Sequence, residues 1–259
     1  MNLAGLLANL GITAAAVLVV MLIGLGVGVA RGRHDGVDTA WGLGFAVIAV
    51  VGSVVSGSGW LVTALTVIWG VRLAVYIQLR NGRRPEDPRY VALMKRATGN
   101  RHWYAFRKVY LLQGVVMWFV SWPVQAAQYE TDLGLFTVLG LAVWLVGLGF
   151  ESVGDWQLAR FKTDPANRGK IMDAGLWRFT RHPNYFGDAA VWWGLYLVAC
   201  QHWLGALTVL SPLVMTFFLT RGTGKALTEK AMGARPGYAE YVQRTSGFFP
   251  LPPKPEGFR

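Results

Sequence analysis

Residues 11–30 read GITAAAVLVVMLIGLGVGVA, twenty consecutive positions without a charged side chain. A helix of about 20 apolar residues is long enough to cross the hydrocarbon core of a bilayer. Inside lipid every backbone N–H and C=O must be bonded within its own segment, so such a run is read as a helix. It has no basic flank before it and no small-residue cleavage pattern after it, which makes it a span rather than a removable leader. Apolar runs recur at 39–56, 60–79, 109–127, 133–150, 185–201 and 203–220. The sequence therefore predicts an all-α, polytopic membrane bundle of about seven transmembrane helices.

Composition agrees. Apolar residues make up 53% of the 259 and charged ones 15%, against about 25% charged in an ordinary soluble domain. This apolar content excludes a disordered chain, and one cysteine, Cys200, excludes a disulfide scaffold. Twelve Trp and 32 Gly fit membrane interfaces and close helix packing.

The net charge of +11 would suit a nucleic-acid binder, but its placement argues against that partner. Two basic residues follow the first run, nine lie in 80–108, six in 160–181 and seven from Arg221 onward. These account for 24 of the 25, and the segments on the opposite side hold none. Basic residues gather on the cytoplasmic side, so the N-terminus is expected outside and the C-terminal tail in the cytoplasm. The exception is Arg72, inside the third run, where an ionisable group is costly unless it faces a polar interior or a partner. Glu151 and Asp155, four apart at the cytoplasmic end of the fifth run, share a helix face. Such groups either pair to hold the bundle together or line a site.

The chemistry is expected on the basic side. Residues 80–90, RNGRRPEDPRY, combine four Arg with two carboxylates and a ring, and guanidinium groups suit phosphates. Neither soluble nucleotide-binding glycine motif is present. The sharpest local pattern is 175–188, GLWRFTRHPNYFGD, which joins a basic loop to the sixth run. Pro183 suits a first helical position, and Asn184 and Asp188 then project one turn apart. His182 can change charge near neutral pH or simply contact the helix start. Glu229, Tyr238, Tyr241 and the Phe248-Phe249-Pro250 run form a tail that reads as a cytoplasmic cap or a surface anchor.

Arg181-His182-Pro183-Asn184-Tyr185-x-Gly187-Asp188, with Tyr241 and Phe249-Pro250 beyond it, resembles the C-terminal half of the membrane steroid 5α-reductases. Their superfamily also holds sterol C14 reductases and isoprenylcysteine carboxyl methyltransferases. Upstream, Asp38-Thr39-Ala40-Trp41-Gly42, Trp69-Gly70-Val71-Arg72-Leu73 and Glu86-Asp87-Pro88-Arg89-Tyr90 resemble the bacterial branch. The resemblance implies a single membrane domain over 1–259, with a substrate-end half in 1–108 and a cofactor half in 109–259. It implies NADPH as cofactor, no metal, a bacterial inner membrane and a site facing the cytoplasm. The matching cofactor positions are Arg72, Tyr76, Arg83, Glu151, Asp155, Lys162, Arg181, His182, Asn184, Asp188 and Tyr241.

Two departures fall on the substrate side. Trp69 stands where vertebrate enzymes have a Tyr, and the family's Gln-Glu pair is absent; Asp38 and Trp41, one turn apart, are the nearest candidates. Glu151 stands where relatives have Asn. The implied activity is NADPH-dependent reduction of the C=C bond of an enone lipid, such as a 3-oxo-Δ4 steroid entering from the bilayer. Asp38, Trp41 and Trp69 are the catalytic candidates. Asp38 is a proton donor if it is held protonated and otherwise a helix N-cap. The alternatives are a membrane methyltransferase using S-adenosylmethionine, which Glu229 ahead of the tail tyrosines favours, and a non-enzymatic lipid-binding or scaffold protein.

Overall fold

A computed structural model of the chain describes residues 3–82, 84–129, 133–222 and 224–254. Its helices, in chain order, are α1 (Leu3–Arg31), α2 (Val37–Ser56), α3 (Trp60–Asn81), α4 (Pro88–Met94), α5 (Arg101–Ala105), α6 (Leu112–Val120), α7 (Trp122–Ala127), α8 (Leu135–Thr163), α9 (Pro183–Ala199), α10 (Trp203–Ala206), α11 (Leu210–Phe217), α12 (Lys225–Met232) and α13 (Tyr238–Arg244). Among the described residues there is no β-strand, and the one extended pairing is a parallel bridge between Thr180 and Ser246. The all-α membrane architecture expected from the apolar runs is thus observed.

Among the described residues, five candidate spans are long and apolar enough to cross a membrane: α1, α2, α3, α8 and the stretch Trp203–Met232 that carries α10, α11 and α12. Two expected runs take other forms. The run 109–127 is broken: a π-helical stretch, Phe106–Leu111, leads into α6, and Ser121 with Pro123 separates α6 from α7. Proline cannot supply the N–H that would continue the helix. The run at 185–201 becomes α9, whose 17 residues start on Pro183 as its ring geometry favours. Helix α8 extends well past residue 150 to Thr163, so Glu151 and Asp155 lie in the body of the helix rather than at its end.

Two compact units divide the chain. The first comprises residues 1–136 and 198–211. Its centre is the α2–α3 pair, which meets at Gly42 and Gly70: a Cβ on either would run into the other's carbonyl. The same two helices are joined through Gly57 and Gly59, whose φ values of 69° and 73° suit residues without a Cβ. Phe45, Ile48, Trp69, Tyr110 and Met117 are fully buried around this contact, whereas Leu7, Val19 and Ile23 on α1 remain exposed, as a lipid-facing surface requires.

Buried polar groups tie α1 to this core. Thr13 donates to Gln125 Oε1 at 2.6 Å, and Gln125 donates to Ser121 at 2.8 Å. Gln128 donates to the Ala49 carbonyl at 2.6 Å and to Thr63 at 3.0 Å. Hydrogen bonds of this kind contribute about 0.6 kcal/mol each between membrane helices.

The second unit comprises residues 137–197 and 212–259. It is organised by glycines seven apart on α8 (Gly140, Gly147 and Gly154), a spacing that keeps one face turned toward a neighbour. Gly187 and Gly194 of α9 meet that face. A Cβ on Gly147 would lie 2.7 Å from the Gly187 carbonyl, and one on Gly194 would lie 2.7 Å from that of Gly140. Pro183 packs on Gly154 in the same row. The tail returns to the start of α9: Arg181 N–H donates to the Ser246 carbonyl at 2.9 Å and Thr180 Oγ1 to that of Phe248 at 2.8 Å.

Candidate functional site

In the second unit, the glycine contact between α8 and α9 lets side chains longer than Cβ meet beside it. Asn184, one residue into α9, donates its amide to Asp155 Oδ1 at 3.1 Å. Glu151, Asp155 and Asp188 are 2%, 3% and 8% exposed, and Gly187 lies directly against the backbone of Glu151. Three carboxylates and one amide therefore share a largely buried helix crossing. Such a set accepts hydrogen bonds from hydroxyl and amide groups and repels phosphate.

The residues just before α9 hold the tail. Glu229 of α12 accepts from Arg181 at 2.8 Å and from His182 Nε2 at 3.2 Å. A carboxylate can only accept, so Nε2 carries the hydrogen. Burial pushes His182 down to about 4, against the attraction of Glu229, so the ring is neutral at pH 7. It stacks on Tyr185 with ring centroids 5.4 Å apart. Arg181 also donates to the Thr245 carbonyl at 2.5 Å. Tyr241 is 3% exposed, donates to the Trp177 carbonyl at 2.5 Å and is raised above its ordinary value by burial. These contacts give the tail its cap-like attachment. Lys162 sits exposed in the last turn of α8.

In the first unit, Asp38 occupies the second position of α2. The position before the helix is Gly36, and no side chain caps it. The N-cap alternative for Asp38 is thereby corrected, because its carboxylate is used across the fold. Tyr90 of α4 donates its hydroxyl to Asp38 Oδ1 at 2.5 Å, and Arg89 reaches Asp38 Oδ2 at 3.3 Å. Gln113 of α6 donates to the Tyr90 oxygen at 3.2 Å. Burial, and then the Asp38 charge, push the Tyr90 phenol far above its ordinary value, so it stays protonated across the physiological range.

The segment that presents Tyr90 is anchored on both sides. Asp87 caps α4 by accepting from Arg89 N–H at 2.8 Å. Burial raises Asp87, but its bonds from Arg89 outweigh this and hold it below the usual carboxylate range. Glu86 accepts from the His34 N–H at 2.5 Å, and Asp35 accepts from the Asp87 N–H at 3.3 Å. His34 itself is lowered by burial and bonds the Tyr110 hydroxyl at 3.0 Å.

Trp41, Phe45 and Trp69 continue from Asp38 as an edge-to-face row, with centroids 5.3 and 5.6 Å apart. Trp69 is fully buried. Arg72 and Arg80 each lie over the Tyr76 ring, at 5.9 and 5.8 Å. Arg83 lies outside the described residues. Thus Asp155 meets Asn184 as their positions imply, and Trp41 and Trp69 are linked through Phe45. Sequence reading did not identify Gln113 or the Glu229 link to His182. A glutamine among apolar residues near the start of the fourth run was the signal for the first, and the second had none, since 47 positions separate its partners.

A family model described as a protein of unknown function (DUF1295) matches residues 25–245, most of the chain. The chain belongs to this family. The DUF1295 family is part of the steroid 5α-reductase-like superfamily and is distantly related to membrane reductases and methyltransferases. Residues 25–245 contain every candidate named above, in both units. Among curated proteins, the chain is 24% identical over 246 residues to uncharacterized protein C594.04c of the fission yeast Schizosaccharomyces pombe, covering 82% of this chain and 69% of that one. No solved structure matches the chain.

Proposed function

We propose that this DUF1295 protein is an NADPH-dependent reductase of the C=C bond of an enone lipid. The observation that carries this reading is the Asp38–Tyr90–Gln113 cluster. It holds a protonated phenol in hydrogen-bonded contact with a half-buried carboxylate, beside a row of aromatic rings suited to a flat apolar substrate. Tyr90 turns its hydroxyl from the Asp38 carboxylate to the substrate ketone and gives up the proton that the reduced oxygen takes; a proton from water, passed through Asp38, then restores the phenol. The Gln113 amide keeps the phenol oxygen positioned. Negative charge developing on the ketone oxygen is then met by a fixed donor, the arrangement that stabilises enolate-like transition states. Trp41 and Trp69 line or support the substrate side, since an indole N–H donates but transfers no proton.

Within each unit taken by itself, the donor set present suits one part of a nicotinamide dinucleotide. The Asp155–Asn184 pair with Glu151 and Asp188 suits a carboxamide and ribose hydroxyls. In the first unit, Arg72 and Arg80 lie over Tyr76 and supply charge of the sign phosphates need; Arg83, outside the described residues, is assigned to the same role by its position in the sequence. Lys162, Arg181, His182 and Tyr241 are assigned to positioning the cofactor end of the bundle. When bound, NADPH supplies a hydride to the β-carbon of the enone. The segregation of basic residues supports seven spans with the C-terminus in the cytoplasm of a bacterial inner membrane, the site facing inward.

The test is to purify the protein, identify retained small molecules by mass spectrometry, and follow NADPH consumption with a 3-oxo-Δ4 steroid. Retained NADP(H) and enone-dependent oxidation are expected. Retained S-adenosylmethionine would move the protein to the methyltransferase branch, and retention of neither, with no turnover, would support a non-enzymatic lipid-binding role.

A further inference from the structure

A lipid-facing groove runs between α1 and α6, lined by Val17, Leu18 and Met21 on one side and Leu111, Val115 and Trp118 on the other. Its volume is about 110 Å³. Gly114 forms the floor, where its missing side chain leaves room: a Cβ there would lie 3.1 Å from Met21. Trp118 closes one end and donates its indole N–H to the Leu10 carbonyl at 2.9 Å, so the groove wall presents no unmet donor. Leu18, Leu111 and Val115 are 42%, 39% and 56% exposed. An apolar trough of this kind on the outside of a membrane helix pair fits one alkyl chain.

Positions 107, 111, 115 and 118 are spaced by four, four and three, so Arg107 caps the stripe of residues that lines the groove. It does not stand alone. Between Val91 and Tyr129 the chain contains no acidic residue but carries Lys95, Arg96, Arg101, Arg107 and Lys108, all exposed. Trp103, 57% exposed, stacks on Phe106 at 5.4 Å in the same stretch. Exposed Trp beside Arg and Lys is the composition of a membrane–water boundary. The π-helical stretch Phe106–Leu111 lies where the cations give way to the groove, and π-helical turns concentrate at functional positions.

We propose that this surface is a binding site for an anionic phospholipid of the surrounding membrane. One acyl chain lies in the α1–α6 groove, and the headgroup phosphate rests on Arg107 and Lys108 under the wider field of Arg101, Arg96 and Lys95. Charge complementarity selects the occupant: a zwitterionic lipid brings a choline or amine into the same field and is disfavoured. The site is independent of the reductase reading, since it uses none of the residues assigned there.

The experiment is native mass spectrometry of the full-length protein in detergent, with dioleoyl phosphatidylglycerol or dioleoyl phosphatidylcholine as the probe lipid. Phosphatidylglycerol is expected to remain bound at least about fivefold more tightly than phosphatidylcholine, the effect of one basic residue near a membrane surface. The preference should shrink as ammonium acetate is raised, because exposed charges are screened. Equal retention of the two lipids, or a preference insensitive to salt, overturns the proposal. The variant Arg107→Gln/Lys108→Gln should shrink the preference markedly, and Val115→Phe, which fills the groove, should lower retention of both lipids. Thermal unfolding of each variant reports whether it is folded. A folded Arg107→Gln/Lys108→Gln protein whose preference is undiminished, or a folded Val115→Phe protein that keeps full retention, removes the headgroup or the groove assignment respectively. Salt dependence in the unaltered protein tests the proposal even where a variant does not fold. Competition by inorganic phosphate as effective as that by the lipid would mean an ion site without a chain, and would also overturn it.

Discussion

Replacing Tyr90 by Phe removes one oxygen and leaves the ring in place. That oxygen donates to Asp38 at 2.5 Å and accepts from Gln113 at 3.2 Å. Its loss therefore leaves the Asp38 carboxylate with Arg89 alone among these partners, and leaves the Gln113 amide without its acceptor. Tyr90 is 8% exposed, so water restores little of this, and a loss of about 1–3 kcal/mol in stability is expected. The catalytic expectation is separate and larger. Removing one donor from a developing oxyanion costs about 10²–10³ in kcat, equivalent to roughly 2.7–4 kcal/mol. The assay is steady-state NADPH oxidation with a 3-oxo-Δ4 steroid, run beside NADPH binding and thermal unfolding. The expected pattern is a large fall in kcat, unchanged NADPH affinity and a modestly lower melting temperature. A parallel Asp38→Asn variant keeps an acceptor for Tyr90 but removes the titrating proton, and should lose about 10² in rate if proton transfer passes through this pair. A folded Tyr90→Phe protein with kcat within a factor of about two of the original would refute the assignment. Lower melting temperature with normal turnover would reduce the cluster to a structural tie between α2, α4 and α6.

Three further outcomes follow from the same structure. Gly187→Leu should prevent the α8–α9 contact from closing, because even a Cβ at this position would collide with the backbone of Glu151 and Gly147; overpacking costs about 1–3 kcal/mol or more, so the variant should show a clear loss of thermal stability, and an unchanged melting curve would contradict the close approach. His182 is held near 4 in the folded state, below its unfolded value near 6.5, so the unfolded chain binds more protons between those values and stability should fall as pH drops through that window; melting curves of the unaltered protein and His182→Gln from pH 7 to 4 should converge, and an equally steep decline in the variant would assign the effect elsewhere. An alkaline phosphatase fused after Arg259 should remain inactive if the C-terminus lies in the cytoplasm, as proposed from the sorting of basic residues; activity would reverse the topology.

The sequence by itself determined the solvent and the class of fold. Burial of apolar runs in lipid is a property of each segment alone, so it is legible without knowing what the segment packs against. Local rules served as well at Pro183, where ring geometry starts α9; the resemblance put Asp155 and Asn184 together on other grounds, and their side chains do meet, at 3.1 Å. The apolar run ends near residue 150, but helix α8 continues to Thr163, because polar residues mark the limit of the run and not of the helix, and Gly154 there packs against Pro183.

What the tertiary structure alone decided lies between residues far apart in the chain. Asp38 reads equally as a helix cap or an acid, and the choice rests on Tyr90, 52 positions away, and on Gln113, a further 23 beyond Tyr90. Glu229 reads as a tail charge until it meets His182 and Arg181 across 47 and 48 positions. Gln128 is tied to Ala49 across 79. Apolar burial in lipid is non-directional and so specifies that helices form. Which polar groups meet is decided by the few places where glycine lets two helix backbones close, and those places set the rotation and depth at which every longer side chain arrives.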